Sequence, residues 1–229
     1  MAKPSVKPSP AERAGQDPEE VPLGMPRWPA IVAILALGVL YVFVSDRYQL
    51  GPSWLVLAVS AALLIPLSIA RYRGHQRTTH LLSRLTLAAL TVAVIASATL
   101  LVVRLTDTVP TLLLRDAALI WIANIGTFAL WYWTIDGGGP AQRHPGRHAS
   151  TDFAFPQQQQ DDDGLVEGWS PGFIDYLFLA FNTSTAFSPT DTLVLSRQAK
   201  LLMMLQSLIS LVVIAVLAAR AINTLGVGQ

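Results

Sequence analysis

Asn182, Thr183, Ser184 and Thr185 stand in a row at the end of a short apolar stretch, and Ser188, Pro189, Thr190 and Asp191 follow before the next apolar run begins. Hydroxyl and amide groups placed that deep in apolar sequence have two uses. They hydrogen-bond a neighbouring helix, or they line a wet cavity that admits an ion or a polar solute. Asn182 and Thr185 are three positions apart and share one helix face, whereas Thr183 and Ser184 point elsewhere. Asp191 would place a negative charge at the mouth of such a cavity, near Arg197 and Lys200. Asn182, Thr183, Thr185, Ser188, Thr190 and Asp191 are therefore candidates for a pore loop.

A second polar set lies deeper in the chain. Asn124 is the only Asn or Gln in the fourth apolar run, and an unpaired amide in lipid costs several kcal/mol, on the order of a lost hydrogen bond to water. Gln206, Ser207 and Ser210 of the last run are its candidate partners, so Asn124, Gln206 and Ser210 form the expected packing set. Asp175 falls in the first turn of its helix, where a carboxylate complements the dipole. Arg115 and Asp116 read as capping and snorkelling residues at a span boundary.

The remaining reactive residue types lead nowhere. His144 and His148 have the spacing of a zinc-binding helix, but Pro145 and Gly146 between them forbid that helix. Asp161, Asp162 and Asp163 lack the Gly and Glu of a calcium loop. No nucleophile elbow, zinc-protease motif or phosphate-binding glycine loop occurs, so no catalytic residue, no cofactor and no metal are expected, and the chain reads as a non-enzyme. No ionisable side chain sits at the centre of an apolar run, which counts against a proton-coupled transporter. The net charge of +1 speaks against a nucleic-acid partner.

These side chains need elements to hold them. Of the 229 residues, 52% are hydrophobic and 14% are charged, against about 25% charged in soluble domains. The apolar residues fall in six runs, 28–44, 54–70, 85–103, 117–135, 173–187 and 201–219. The fold class is all-α, a polytopic helical membrane protein whose obligatory partner is the lipid bilayer. It should have five transmembrane helices plus a short sixth helix, spanning or re-entrant, before the last span. The fifth run holds 15 residues, or roughly 22 Å of helix, against a hydrocarbon core of about 30 Å. Residues 1–27 read as a disordered, proline-rich tail without an apolar core of a signal peptide, so the first span would direct insertion. Residues 28–135 form a four-helix region, 136–170 a polar loop, and 171–226 a pore-helix-like segment with the final span. Ser170 and Pro171 read as N-cap and first residue of the short helix, and Trp131-Tyr132-Trp133 as an interfacial belt.

Basic residues set the expected orientation. The tail, the loop with Arg71, Arg73, Arg77 and Arg84, and Arg143 and Arg147 lie on one side. Counting Arg197 and Lys200 on the other gives eleven against five with six spans, and ten against six if the short helix re-enters. Both counts favour a cytoplasmic N-terminus, and the stronger bias leans toward six spans; the expected location is the plasma membrane, multi-pass.

The segment from Asp175 through Asn182, Thr185, Thr190 and Asp191, then Ser196, Arg197 and Lys200, then Leu201 to Arg220, resembles the pore helix, filter loop and inner helix of two-transmembrane potassium-channel modules. It is also similar to a bacterial family of integral membrane proteins with this C-terminal pattern. The resemblance covers roughly 50 of the 229 residues. It implies an ion-channel-like pore for a cation or small solute, completed in a homo-oligomer. The filter departs from the pattern. A potassium filter uses glycines to turn successive carbonyls inward. Thr185 to Asp191 contains no glycine and has Pro189, so potassium selectivity does not carry over. The competing reading is a non-conducting structural or accessory membrane protein.

Overall fold

The computed structural model describes residues 28–105, 110–140, 151–159, 169–185 and 191–226. The tail, His144 and His148, Asp161 to Asp163, Ser188 and Thr190 lie outside the described residues. The order of elements is α1 (Trp28–Phe43), a 3-10 turn (Asp46–Tyr48), α2 (Leu55–Tyr72), α3 (Gln76–Val103), α4 (Pro110–Ile135) and a second 3-10 turn (Asp136–Gly138). Then follow β1 (Phe153–Ala154), the single turn α5 (Pro156–Gln159), α6 (Phe173–Thr185), β2 (Leu193–Val194) and α7 (Arg197–Gly226).

The fold is all-helical. Four of its helices, α2, α3, α4 and α7, are long and apolar enough to cross a membrane, which is compatible with a multi-pass membrane protein. The helix α1 is apolar but has only 16 residues. Helices run further than the apolar runs alone indicate. The basic stretch 71–84 is not a loop throughout, because α3 already starts at Gln76 and carries Arg77 and Arg84 on its first turns. Pro110 to Asp116 belong to α4. Polar residues continue a helix wherever backbone hydrogen bonds already run, so hydropathy underestimates its length.

The four residues after Ile135 explain why the chain turns there. Gly137, Gly138 and Gly139 have φ of 58°, 79° and 92°, a left-handed run that residues with a Cβ rarely adopt. A Cβ on Gly139 would lie 2.9 Å from the Thr134 carbonyl oxygen. At the α1–α2 crossing a Cβ on Gly38 would meet a Leu57 side-chain methyl at 2.8 Å, so this glycine permits the close approach of the two helices.

The helix α4 is the centre of the bundle and packs on α1, α3, α6 and α7. Its inner surface is closed by Ile120, Ala123, Phe128 and Tyr132, all fully buried. Aromatic contacts give the direction of α6. Trp133 meets Phe173 at 6.3 Å between ring centroids, and Trp121 meets Phe181 at 6.1 Å. The helix α6 therefore starts beside the C-terminal end of α4 and runs antiparallel to it.

The chain then comes back. β2 pairs antiparallel with β1, Phe153 opposite Val194 and Ala154 opposite Leu193. β1 is itself fixed to the end of α4, since the Asp152 and Phe153 amides donate to Asp136 Oδ1 at 2.7 and 3.1 Å. The start of α6, β2 and the start of α7 thus lie at one end of the bundle, and α6 and α7 run parallel from there. This end also holds the α2–α3 connection, as Gln198 of α7 borders a cavity with His80 and Arg84 of α3. Arg197 and Lys200 consequently lie beside the basic α2–α3 connection and not opposite it, which corrects the charge count made with them on the far side.

Candidate functional site

The site is the contact of α4, α6 and α7, and its hub is Gln206. This side chain is fully buried one-third of the way along α7. Its amide nitrogen donates to the Ala180 carbonyl at 2.7 Å and to Ser184 Oγ at 2.6 Å. Its amide oxygen accepts from the hydroxyl of Tyr132. One residue so satisfies groups on α4 and on the last two turns of α6. Buried amides are tolerated in apolar surroundings when their donors and acceptors are matched in this way.

Asn124 extends the network along α4. Its Nδ2 donates to the Gln206 backbone carbonyl at 3.2 Å and to Ser210 Oγ at 2.8 Å. Its Oδ1 has no hydrogen-bond partner among the described residues. Asn124, Gln206 and Ser210 therefore meet in a single cluster. Ser207 does not join it; its hydroxyl instead lies 3.5 Å from the Thr183 carbonyl.

The polar row on α6 divides. Ser184 is buried and faces Gln206. Asn182, Thr183 and Thr185 are only half-buried, and each bonds its own helix. Asn182 Nδ2 donates to the Phe178 carbonyl at 2.9 Å, Thr183 Oγ1 to that of Leu179 at 2.8 Å, and Thr185 Oγ1 to that of Phe181 at 3.1 Å. Asp191 is exposed just beyond the return, two residues before β2.

A second set of bonds anchors the site at the end of the bundle. Asp136 is fully buried and, besides the Asp152 and Phe153 amides, accepts from the Tyr176 hydroxyl at 2.5 Å. It joins α4, β1 and the first turn of α6 at one carboxylate. Phe153, Phe155, Tyr132, Tyr176 and Trp169 stack around it edge to face. The N-terminus of α6 is capped at Gly172 and not at Ser170, because the Gly172 amide donates to Asp175 Oδ2 at 2.7 Å. This is the carboxylate half of a capping box, three residues into the helix.

Sequence reasoning passed over Asp136 and Tyr176 and misplaced Tyr132, while Ser184, one of the polar row, takes the interhelical role open to that row. Tyr132 stood in a Trp-Tyr-Trp triplet read as an interfacial belt, yet it is fully buried, and Trp131 donates its indole N–H to Thr91 Oγ1 at 2.9 Å instead of facing water. Asp136 followed a span directly and was read as part of a stop signal. A carboxylate directly before a glycine run was the available signal for a structural anchor. Asp116 also departs from the snorkelling expectation. It is fully buried, accepts from Ser45 Oγ at 2.5 Å and pairs with Arg115 at 3.0 Å.

Among the described residues no group of His, Cys, Asp or Glu is arranged to hold a metal ion. The arrangement has no nucleophile–base pair; what it can do is keep polar side chains and a helix terminus at depth in an apolar bundle. Comparison with family models, with curated proteins and with solved structures gives no match for the chain.

Proposed function

We propose that this chain is an integral membrane protein of five spans, α1 to α4 and α7, in which α6 enters the bilayer and returns, and that α4, α6 and α7 form a pore-loop module passing a cation or small solute in a homo-oligomer. The observation that carries this reading is the pairing of β2 with β1 at the end where α6 starts. A helix of 13 residues is roughly 20 Å long, so α6 ends inside a core of about 30 Å. Hydroxyls meet two of its last carbonyls, Thr185 Oγ1 that of Asn182 at 3.2 Å and Ser207 Oγ that of Thr183 at 3.5 Å. Backbone that ends at such depth is tolerated where protein covers it or where it lines a water-filled cavity. Asn182, Thr183 and Thr185 surround that end half-exposed in a single chain, and the negative end of the α6 dipole there favours a cation. A second copy has a surface to meet: Leu201, Met204, Leu208 and Leu211 form an exposed stripe along α7 at spacings of three and four.

With five spans, Arg197 and Lys200 join the tail side and Arg220 leaves it. The bias becomes twelve basic residues against four, stronger than with six spans. The N-terminus and the mouth of the α6 loop would face the cytoplasm, in the plasma membrane, and the C-terminus the other side.

One observation favours a second reading, a non-conducting structural protein. Asn182, Thr183 and Thr185 already satisfy their donors on α6, so they do not require water. Ion flux from purified protein in liposomes decides between the two. Conduction predicts that Thr185→Trp blocks flux and that Asp191→Asn lowers the preference for cations over anions, each with unchanged thermal unfolding. Reproducible absence of flux for several cations and small polar solutes, from demonstrably folded protein, retires the pore.

A further inference from the structure

We propose that the cleft between α1, α2 and α3 is a binding site for an uncharged single-chain amphiphile, a prenyl or alkyl chain ending in a hydroxyl head. The cleft encloses about 290 Å³ and no charged residue lines it. One end lies at the α1–α2 connection, at Gln49, Leu50 and Pro52; from there it descends between α2 and α3 along Val59, Ala93 and Ala89. Ser97 to Ala89 spans eight residues of α3, so the apolar part runs roughly 12 Å toward the bilayer centre.

Three polar atoms stand at the end near the connection without a good partner. Tyr41 and Ser97 are each only 1% exposed. The two hydroxyls are neighbours, and neither has a well-formed hydrogen-bond partner among the described residues. Gln49 donates its amide nitrogen to the carbonyls of Tyr41 and Val44 at 2.8 and 2.6 Å, which caps α1, while its Oε1 is left without a partner. Even a bond between Tyr41 and Ser97 would leave one hydroxyl proton and the Gln49 oxygen unused. Buried polar groups are nearly always satisfied, and three such atoms on residues lining one cleft point to an absent partner. The chemistry selects its head. Two hydroxyls and one amide acceptor suit a hydroxyl, which accepts from the former and donates to the latter, and an anionic head would find no cation in the lining. The polarity matches a lipid-like molecule, with the head near the interface and the tail inward. This inference is independent of whether the C-terminal module conducts.

The test uses full-length protein in phospholipid nanodiscs and a dodecanol analogue with a diazirine on its tail. After photolysis, labelled residues are mapped by mass spectrometry. The expected result is labelling concentrated at Val59, Ala89 and Ala93, competed at least tenfold by dodecanol and not by dodecanoate at pH 9 or added phospholipid. Ala93→Phe fills the cleft and should abolish that labelling. The conservative pair Tyr41→Phe and Ser97→Ala, with unchanged thermal unfolding, should weaken it several-fold should the larger substitution fail to fold. Labelling spread evenly over the lipid-facing helices overturns the proposal. So does equal competition by dodecanoate or phospholipid, or indifference to the Tyr41 and Ser97 changes.

Discussion

The Gln206 side chain ties α7 to α4 and α6 through three buried hydrogen bonds. Replacing it by Leu would leave the Tyr132 hydroxyl, Ser184 Oγ and the Ala180 carbonyl without their partner in a site closed to water. Single interhelical hydrogen bonds in membranes average about 0.6 kcal/mol, but orphaned buried groups cost about 1–3 kcal/mol each. Gln206→Leu should therefore destabilise the protein by about 2–3 kcal/mol. The control is one position along. Ser207→Ala removes only a long contact to the Thr183 carbonyl and should cost under about 0.5 kcal/mol. Thermal unfolding of both variants in the same detergent measures the difference, and equal unfolding temperatures would show that Gln206 is not the hub. Part of this was legible in the chain: a lone Gln in an apolar run needs partners. Which partners was not, because the 3.6-residue period places Gln206 on a face but does not say that Tyr132, in an aromatic triplet that suits an interface, faces it.

At the scale of elements, α6 and its return loop make the clearest claim. Hydropathy and length left a 15-residue run open between a span and a re-entrant helix. Two strands of two residues each have no periodic signature, so their pairing could not be read from sequence. Its anchor, Asp136, acts through backbone amides that sequence does not display. The pairing is directly testable because the chain has no cysteines. Antiparallel neighbours have Cα atoms about 4.5–5.5 Å apart, within disulfide range. Ala154→Cys combined with Leu193→Cys should form an intramolecular disulfide under mild oxidation. If α6 crossed the bilayer, the two positions would lie on opposite faces and no crosslink would form. The apolar runs, by contrast, delivered the long helices reliably, since burying or submerging 20 apolar residues leaves a helix as the only satisfied backbone.

For the whole molecule, five spans and six spans differ in one global respect: whether the two termini share a side. Gly74 sits in an open turn where an added Cβ meets nothing within 4 Å, so an insertion there is tolerated. A topology reporter inserted at Gly74 and one fused after the last residue should report opposite sides. Reports from the same side would restore a sixth span and remove the re-entrant module. The basic end of the bundle predicts which is which: the Gly74 reporter should behave as cytosolic.

The shared end of α6, β2 and α7 also dictates an order of assembly. A 13-residue segment is too short to partition stably by itself, and Ser184 gains its buried partner only when Gln206 has emerged on the following helix. On the proposed five-span topology, α6 would therefore wait at the membrane surface while α7 is being made, held to the end of α4 through the Tyr176–Asp136 bond. Insertion of the long helices would then come first and docking of the short one last, with the C-terminal helix as the template on which its predecessor folds.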